Sequence, residues 1–269
     1  RDSVQASVSW SLGEHIEHLT LLDAGGTIDG TGNGLNNILT GNRFDNVLDG
    51  RGGDDTLRGG AGSDSASYAG APGAVSADLG ASQPAASGGA GNDRLQSIEN
   101  LIGSAFADWL GGDGGANVLA GGAANDTLRG GTGEDTLDGG EGTGDTAIFS
   151  GNAGDYRFSA GVNGELLVQD RNTTDGDDSS DTLCAVEALQ FADRLFGAAP
   201  GGEFRSSTTD QNESYPAVAV LADGGTVLAW QAMIPGTSTT AVYVLRHDAT
   251  GASSGEVLRI GENHLESHI

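Results

Sequence analysis

Residues 121–129 read GGAANDTLR and residues 130–138 read GGTGEDTLD, so the chain repeats itself with a nine-residue period. In each unit glycine comes first, an acid or amide stands at position six and an apolar residue at position eight. Leucine holds position eight over one long run, at Leu101, Leu110, Leu119, Leu128 and Leu137. An earlier run holds Leu39, Leu48 and Leu57 and then weakens to Ala66. A flexible acidic linker has no use for such a ladder, so the repeat predicts folded coils with an apolar interior.

Position six supplies side-chain oxygen in every unit. It is Asn37, Asn46, Asp55 and Asp64 in the first run, and Asp108, Asn117, Asp126, Asp135 and, one place late, Asp145 in the second. Between the runs, GGAGNDRLQ at residues 88–96 places Asp93 there. Glycine tolerates positive φ and lets backbone carbonyls turn toward one point, while the carboxylate adds charged oxygen. Such turns suit Ca²⁺, which takes about six to eight oxygen ligands, so we expect several calcium ions.

The pattern Gly-Gly-x-Gly-x-Asp-x-apolar-x resembles the nonapeptide of the RTX family, the hemolysin-type calcium-binding proteins exported by bacteria. The resemblance implies an all-β fold, a right-handed parallel β-roll or β-helix with calcium-filled turns in two blocks. It also implies that each ion lies between a turn and the turn one coil later. The implied pairs are Asp108 with Asp126, Asp126 with Asp145, Asn117 with Asp135, Asn46 with Asp64, and Asn37 with Asp55.

The same resemblance adds turn residues to the expected metal sites, namely Gly103, Ala105, Gly121, Ala123, Gly130, Thr132, Gly140 and Gly142. Turns with asparagine at position six lack one charge, so we expect them to bind calcium more weakly. The strongest cluster is then expected at Asp108, Asp126, Asp135 and Asp145.

Changes in composition divide the chain into six regions. Residues 1–31 are expected to form N-terminal β rungs that lead into the roll, 32–67 the first roll block, 68–87 an insertion and 88–149 the second block. Residues 150–199 would form a β segment that closes the roll, with a turn at 162–164. From residue 200 glycine thins out, and a repeat at a spacing of 53 predicts an antiparallel, propeller-blade-like β repeat over 200–269, truncated in its second copy.

A second motif repeats outside the nonapeptides. Ile98-Glu99-Asn100-Leu101 matches Ile16-Glu17-His18-Leu19 at a shift of 82, and Asp93, Ile98 and Glu99 recur as Asp181, Val186 and Glu187 at a shift of 88. At the start of the chain, Val4, Ala6, Val8, Trp10 and Leu12 alternate with polar residues, which is the period of a half-buried strand.

Composition bounds the partners and the compartment. The formal charge is −26, all 12 cationic residues are arginine, and such a surface repels nucleic acid and anionic membranes. Cys184 is the only cysteine, so calcium would replace disulfides as the stabilising link. No apolar run is long enough to span a bilayer. The RTX resemblance implies type I secretion to the extracellular space, with attachment to the cell surface and contacts to surfaces or polysaccharides through a parent protein as open alternatives.

We find no catalytic constellation in the sequence. The five histidines form no His-Glu-x-x-His motif, and GASSG at 251–255 matches a nucleophile-elbow string only in a predicted polar turn. The sequence therefore predicts a non-enzymatic calcium-binding β-roll module of a large type I-secreted bacterial protein, which folds on extracellular calcium. The alternatives are a non-catalytic fragment of an RTX peroxidase, lipase, protease or alginate epimerase, or of an adhesin or surface-layer protein.

Overall fold

The computed structural model describes residues 1–83, 85–160, 165–172, 174, 179–193 and 195–199, and the backbone of the strands within 203–262. The described part of the chain is built of β-strands, with two short 3-10 turns at Asp23–Gly25 and Ala153–Asp155. No helix in it is long and apolar enough to cross a membrane. The predicted turn at 162–164 and the GASSG segment lie outside the described residues.

In chain order the strands are β1 Ser3–Ala6, β2 Trp10–Ser11, β3 His18–Leu21, β4 Gly30–Thr31, β5 Ile38–Thr40, β6 Val47–Asp49, β7 Thr56–Arg58, β8 Ser65–Ser67, β9 Val75–Asp78, β10 Ala85–Gly88, β11 Gly91–Gln96, β12 Asn100–Ile102, β13 Trp109–Gly111 and β14 Val118–Ala123. They continue as β15 Thr127–Arg129, β16 Thr136–Glu141, β17 Thr146–Ile148, β18 Tyr156–Ala160, β19 Leu166–Asp170, β20 Ser180–Cys184, β21 Ala188–Gln190, β22 Leu195–Ala199, β23 Glu203–Phe204, β24 Glu213–Val220, β25 Thr226–Met233, β26 Thr240–His247 and β27 Leu258–Glu262.

Successive nonapeptides alternate between two facing sheets, and two of them complete one coil. The first sheet runs β1-β3-β5-β7-β11-β10-β9-β13-β15-β17-β21-β22-β23, and the second runs β18-β19-β20-β16-β14-β12-β8-β6-β4-β2. Strands one coil apart pair in parallel and in register, so Leu39 lies opposite Leu57 and Leu119 opposite Leu137. This is the parallel β-roll that the repeat predicts.

Position eight fills the interior of the roll. Its side chains are fully buried, at 0 % exposure for Leu39, Leu48, Leu57, Ala66, Leu101, Leu110, Leu119, Leu128 and Leu137. Burying one leucine contributes about 1.5–3 kcal/mol relative to leaving it in water. Positions seven and nine flank it on the outer face of each strand, because side chains alternate along a strand. The leucines at every ninth residue thus form the core that stabilises the roll.

The segment between the two nonapeptide blocks is part of the same roll. The second sheet is continuous, because β8 pairs in parallel with β12 and β12 with β14. Only the first sheet is widened, by β9 and β10, which lie between β11 and β13. β10 pairs antiparallel with both β9 and β11, and Val75, Ala77 and Leu79 continue the buried interior. The two nonapeptide blocks therefore share one core.

The N-terminal rungs are two short strands rather than one alternating strand. β1 pairs with β3 in the first sheet and β2 with β4 in the second, because the chain crosses between the sheets at residues 7–9. Val8 and Trp10 consequently lie outside the core, at 57 % and 44 % exposure, whereas Ala6 and Leu12 are buried.

The segment after the second block adds strands to both sheets of the roll. β18 and β19 form an antiparallel pair, β20 returns parallel to β16, and β21 lies parallel to β17. Phe149, Tyr156 and Phe191 pack together with ring centroids 4.9–5.3 Å apart. Further along, β24 to β27 form an antiparallel sheet of four strands, which agrees with the predicted antiparallel β repeat.

Candidate metal-binding turns

The position-six side chains stack along the edges of the roll, where the chain passes from one sheet to the other. The Asp126 carboxylate accepts a hydrogen bond at 2.7 Å from the backbone N–H of Asp108, one coil earlier, and Asp145 accepts one at 2.7 Å from Asp126. Asp135 accepts the N–H of Asn117 at 2.8 Å. The structure therefore brings together the three pairs that the resemblance implies in the second block.

The first block repeats this contact. Asp55 accepts the backbone N–H of Asn37 at 2.7 Å, and Asp64 accepts that of Asn46 at 2.8 Å. Every position-six side chain of the two blocks is at most 4 % exposed, so position six is a buried link between coils. A buried carboxylate needs a partner for each of its two oxygens, and the N–H of the earlier coil satisfies only one of them.

Five turns share a backbone shape, and we call them the open turns: residues 50–55, 59–64, 121–126, 130–135 and 139–145. Position two has positive φ in each, at Arg51 (68°), Gly60 (116°), Gly122 (110°), Gly131 (104°) and Gly140 (90°). One oxygen of the position-six carboxylate then lies inside its own turn, and Asp126 Oδ2 sits against Gly121 so closely that a Cβ there would collide with it. Glycine at position one makes room for the carboxylate.

Four open turns hold a buried carboxylate oxygen with no hydrogen-bond partner in the described part of the chain. These atoms are Oδ2 of Asp55, Asp64, Asp126 and Asp145. Leaving a buried charged oxygen unpartnered costs several kcal/mol, and the donor that would remove this cost is a cation. Hard cations such as Ca²⁺ prefer oxygen ligands, so these residues fit calcium.

The electrostatics of the open turns point the same way. Burial raises the pKa of Asp55 from 3.8 to about 7, and the nearby negative charge of Asp93 adds to the rise although the N–H of Asn37 opposes it. Burial likewise raises the pKa of Asp64 and of Asp126 to about 6, with Glu99 and Asp108 as the adjacent negative charges. In each of these turns a buried carboxylate therefore lies close to another negative charge, and a bound cation would reduce their repulsion.

Four other turns are closed by their own side chains, and we call them the closed turns: residues 32–37, 41–46, 103–108 and 112–117. Their shared feature is a hydrogen bond from the position-two N–H to the position-six side chain, at 2.7 Å from Asn33 to Asn37 Oδ1 and 2.8 Å from Asp113 to Asn117 Oδ1. The position-two side chain in turn accepts the position-four N–H, as when Asn33 Oδ1 accepts from Leu35 at 2.9 Å. None of their described residues has positive φ.

Asp108 falls into the closed class, which changes its expected place in the strongest cluster. Its Oδ1 accepts the Ser104 hydroxyl at 2.9 Å and the Val75 N–H at 2.7 Å, and its Oδ2 accepts the Ser104 backbone N–H. Both oxygens are therefore satisfied by protein donors. Asp55 and Asp64, which lie outside the cluster expected to be strongest, have the open geometry.

The nonapeptide copy at 88–96 folds differently from the others. Gly88 pairs with Gly91 across a two-residue β-hairpin that joins β10 to β11, so its glycines serve a hairpin rather than a turn between sheets. Asp93 still accepts the N–H of Asp55 at 2.8 Å. Burial raises the pKa of Asp93 to about 6, although the N–H of Asp55 and the hydroxyl of the buried Tyr68 lower it.

The expected backbone residues line the space between coils. The carbonyl of Gly121 packs against Gly103, and that of Gly130 packs against Gly112, where no Cβ would fit. Gly140 lies against the carbonyl of Gly122, and Gly142 borders Asp145 Oδ2. Carbonyl and carboxylate oxygens of the open turns thus share one inter-coil space.

The other three expected residues point away from this space or bond across it. Ala105 lies exposed in a closed turn. Ala123 and Thr132 donate backbone hydrogen bonds at 3.1 Å to the carbonyls of Ser104 and Asp113, one coil earlier. These N–H groups tie the open turns at 121–126 and 130–135 to the closed turns one coil earlier.

Sequence reasoning overlooked the role of the glutamate in the Ile/Val-Glu-x-Leu motif. Glu17, Glu99 and Glu187 each accept a backbone N–H of the preceding coil through Oε2, from Asp2, Asp64 and Asp145 at 2.7–2.9 Å. Asp2 therefore occupies the same structural position as two position-six aspartates. The signal was present in the shifts of 82 and 88 that relate the three copies.

Among the described residues no three His, Cys, Asp or Glu side chains converge on one point. A cation in these turns would therefore be held by one or two carboxylates together with backbone carbonyls. Residues 31–66, 96–123 and 111–145 match the model of a protein family described as RTX calcium-binding nonapeptide repeat, four copies. No curated protein matches the chain.

Proposed function

We propose that this chain, an RTX-type calcium-binding protein whose nonapeptides bind several calcium ions, uses the open turns as its calcium sites and folds when they fill. The observation that carries the proposal is the row of buried, unpartnered Oδ2 atoms in Asp55, Asp64, Asp126 and Asp145. Each requires a positive partner that the described residues do not supply.

Charge makes folding and calcium binding one event. Without cations, the roll would stack carboxylates in a chain of formal charge −26 that contains no lysine. Anything that binds the folded state alone stabilises it by mass action, and calcium binds a geometry that exists only when two coils are in place. Extracellular calcium modules have Kd values of about 10⁻⁴–10⁻³ M, which would keep the chain unfolded in a low-calcium cytosol.

We further propose that the chain is a structural module of a large secreted bacterial protein exported by type I secretion, and that it has no catalytic role of its own. Its acidity and its lone cysteine suit a calcium-rich exterior where metal replaces disulfides. An RTX enzyme or a surface adhesin would carry the same module, so the parent's activity is a separate question.

The test compares two adjacent carboxylates. Asp55 is buried with an unpartnered oxygen, whereas Asp54 is exposed and accepts a hydrogen bond from the Asn92 N–H. Circular dichroism should show mostly coil in EDTA and β-structure on calcium addition, and Asp55→Asn should shift the calcium midpoint upward. Asp54→Asn makes the same charge change and should leave the midpoint near that of the unaltered chain. A spectrum indifferent to calcium, or equal shifts in both variants, would refute the proposal.

A further inference from the structure

The first coil of nonapeptides is joined to the rungs before it by amide groups. Asn33 Nδ2 donates to the carbonyls of Gly13 and Ile16 at 2.7 and 2.9 Å, and Asn37 Nδ2 donates to Ile16 at 3.1 Å. Both side chains are buried, at 8 % and 1 % exposure. The carbonyls that face this turn are thus satisfied by protein N–H groups.

The opposite edge repeats the arrangement with different residues. Asn42 Nδ2 donates to the carbonyls of Leu22 and Gly26 at 3.2 and 2.8 Å, and Asn46 Nδ2 donates to Ile28 at 2.6 Å. Asn42 and Asn46 are also buried. The rungs at 13–31 contain no nonapeptide. The asparagine-to-carbonyl hydrogen bonds at both edges therefore mark the junction between the N-terminal rungs and the first nonapeptide coil.

An asparagine amide group and a calcium ion cannot occupy the same turn. Both satisfy carbonyl oxygens, but the amide donor presents its positive end to the place where a cation would stand. Three of the four closed turns also have neutral asparagine at position six, where the open turns have a carboxylate. In the closed turns the position-six oxygens are therefore already satisfied by protein donors.

Position two decides which turn forms. Asparagine, serine or aspartate there can accept the position-four N–H and hold the turn shut with negative φ, as Asn42 does for Phe44 at 2.9 Å. Glycine has no such side chain and adopts positive φ readily, as at Gly60 and Gly122. A short polar side chain at position two thus accompanies a closed turn, and its absence, as at Arg51, Gly60 and Gly122, accompanies an open turn.

We propose that the amides of Asn33, Asn37, Asn42 and Asn46 take the place of cations in the layer between the N-terminal rungs and the first nonapeptide coil. This layer is built without calcium, and the number of bound ions follows the open turns rather than the nonapeptides. The inference rests on the proposed calcium function, because it assigns calcium to the open turns and none to the closed turns, although both kinds of turn belong to the same repeat.

The first test converts one turn into the other in the full chain. The double variant Asn33→Gly with Asn37→Asp opens turn 32–37, and isothermal titration should find an additional calcium ion per chain. The reverse variant, Gly122→Asn with Asp126→Asn, should lose one. Asn36→Asp adds the same charge at an exposed neighbouring position and should leave the stoichiometry unchanged.

The second test needs no variant and so does not depend on a variant folding. In a chelator, amide hydrogen exchange of the unaltered chain should be slower in β5 and β6 than in β15 and β17, and calcium should protect all four. Equal exchange in the chelator, or an opened variant that is folded in calcium but gains no ion, would overturn the inference. If the unaltered chain binds no calcium at all, the proposed function fails instead.

Discussion

The carboxylate of Glu99 accepts a hydrogen bond at 2.8 Å from the backbone N–H of Asp64. Asp64 in turn receives two backbone bonds on its carbonyl, from Glu99 at 3.0 Å and Asn100 at 2.9 Å. Glu187 and Asp145 repeat the whole arrangement, with carbonyl bonds from Glu187 and Ala188 at 3.0 and 2.8 Å. Within a run of turns, a position-six aspartate accepts the backbone N–H of the residue one coil earlier. At the end of a run, the glutamate accepts this N–H instead.

Replacing Glu99 by alanine should destabilise the calcium-loaded roll. The N–H of Asp64 would lose its acceptor, and an unsatisfied buried donor costs about 1–3 kcal/mol. Glu99→Gln keeps an oxygen in place and should cost less, and Glu134→Ala removes an exposed glutamate and should cost least. Thermal unfolding in calcium would rank the three variants, and an equal cost for Glu134→Ala and Glu99→Ala would contradict the assigned contact.

Gly122→Ala should destabilise the roll because its φ of 110° is unfavourable for any residue with a Cβ, which would also meet the carbonyl of Ser104. Backbone strain of this kind costs about 1–3 kcal/mol. Gly34→Ala is the matched control, since Gly34 has no positive φ and open space around it. Urea unfolding in calcium gives the difference, and equal midpoints for the two variants would show that the turn tolerates the strain.

The repeat period was enough to predict the parallel roll, because leucine every nine residues can fill a core only if each turn-strand unit has the same length. The pairs of position-six residues one coil apart were implied by the resemblance to the RTX nonapeptide rather than by the period itself. The hairpin at Gly88–Gly91 was not predictable, since GGAGND has the same letters in either turn and only the pairing of β10 with β11 decides its shape. The hydrogen bonds to the Asp108 carboxylate could not be predicted either, because they come from Ser104 and from Val75 in the inserted strand.

Leu119→Ala should cost about 2–5 kcal/mol, the usual range for removing a large apolar side chain from a packed core. Leu119 is 0 % exposed between Leu101 and Leu137, so the roll cannot close the cavity without shifting both neighbours. The adjacent Val118 is 48 % exposed, and Val118→Ala should be nearly neutral. Chemical denaturation in saturating calcium measures both, and a similar loss for the two would argue against position eight as the core.

Acidity should favour the calcium-free fold and weaken calcium binding. Burial raises the pKa of Asp55 to about 7 and those of Asp64 and Asp126 to about 6, from 3.8. A carboxyl whose pKa is higher in the folded state binds more protons there, so this stabilisation is present at low pH and is lost as the pH rises through about 6–7. Protons then occupy the oxygens that calcium requires.

In calcium-free buffer, circular dichroism should therefore show more β-structure at about pH 5 than at about pH 8. The calcium dissociation constant of the folded chain should rise as the pH falls over the same range, because the ion must displace protons from the open turns. Asp55→Asn removes one of these proton sites and should flatten the dependence, whereas Asp54→Asn should not. A calcium-free chain that loses β-structure on acidification would contradict this assignment, because the buried carboxylates would then be stabilised in their charged form.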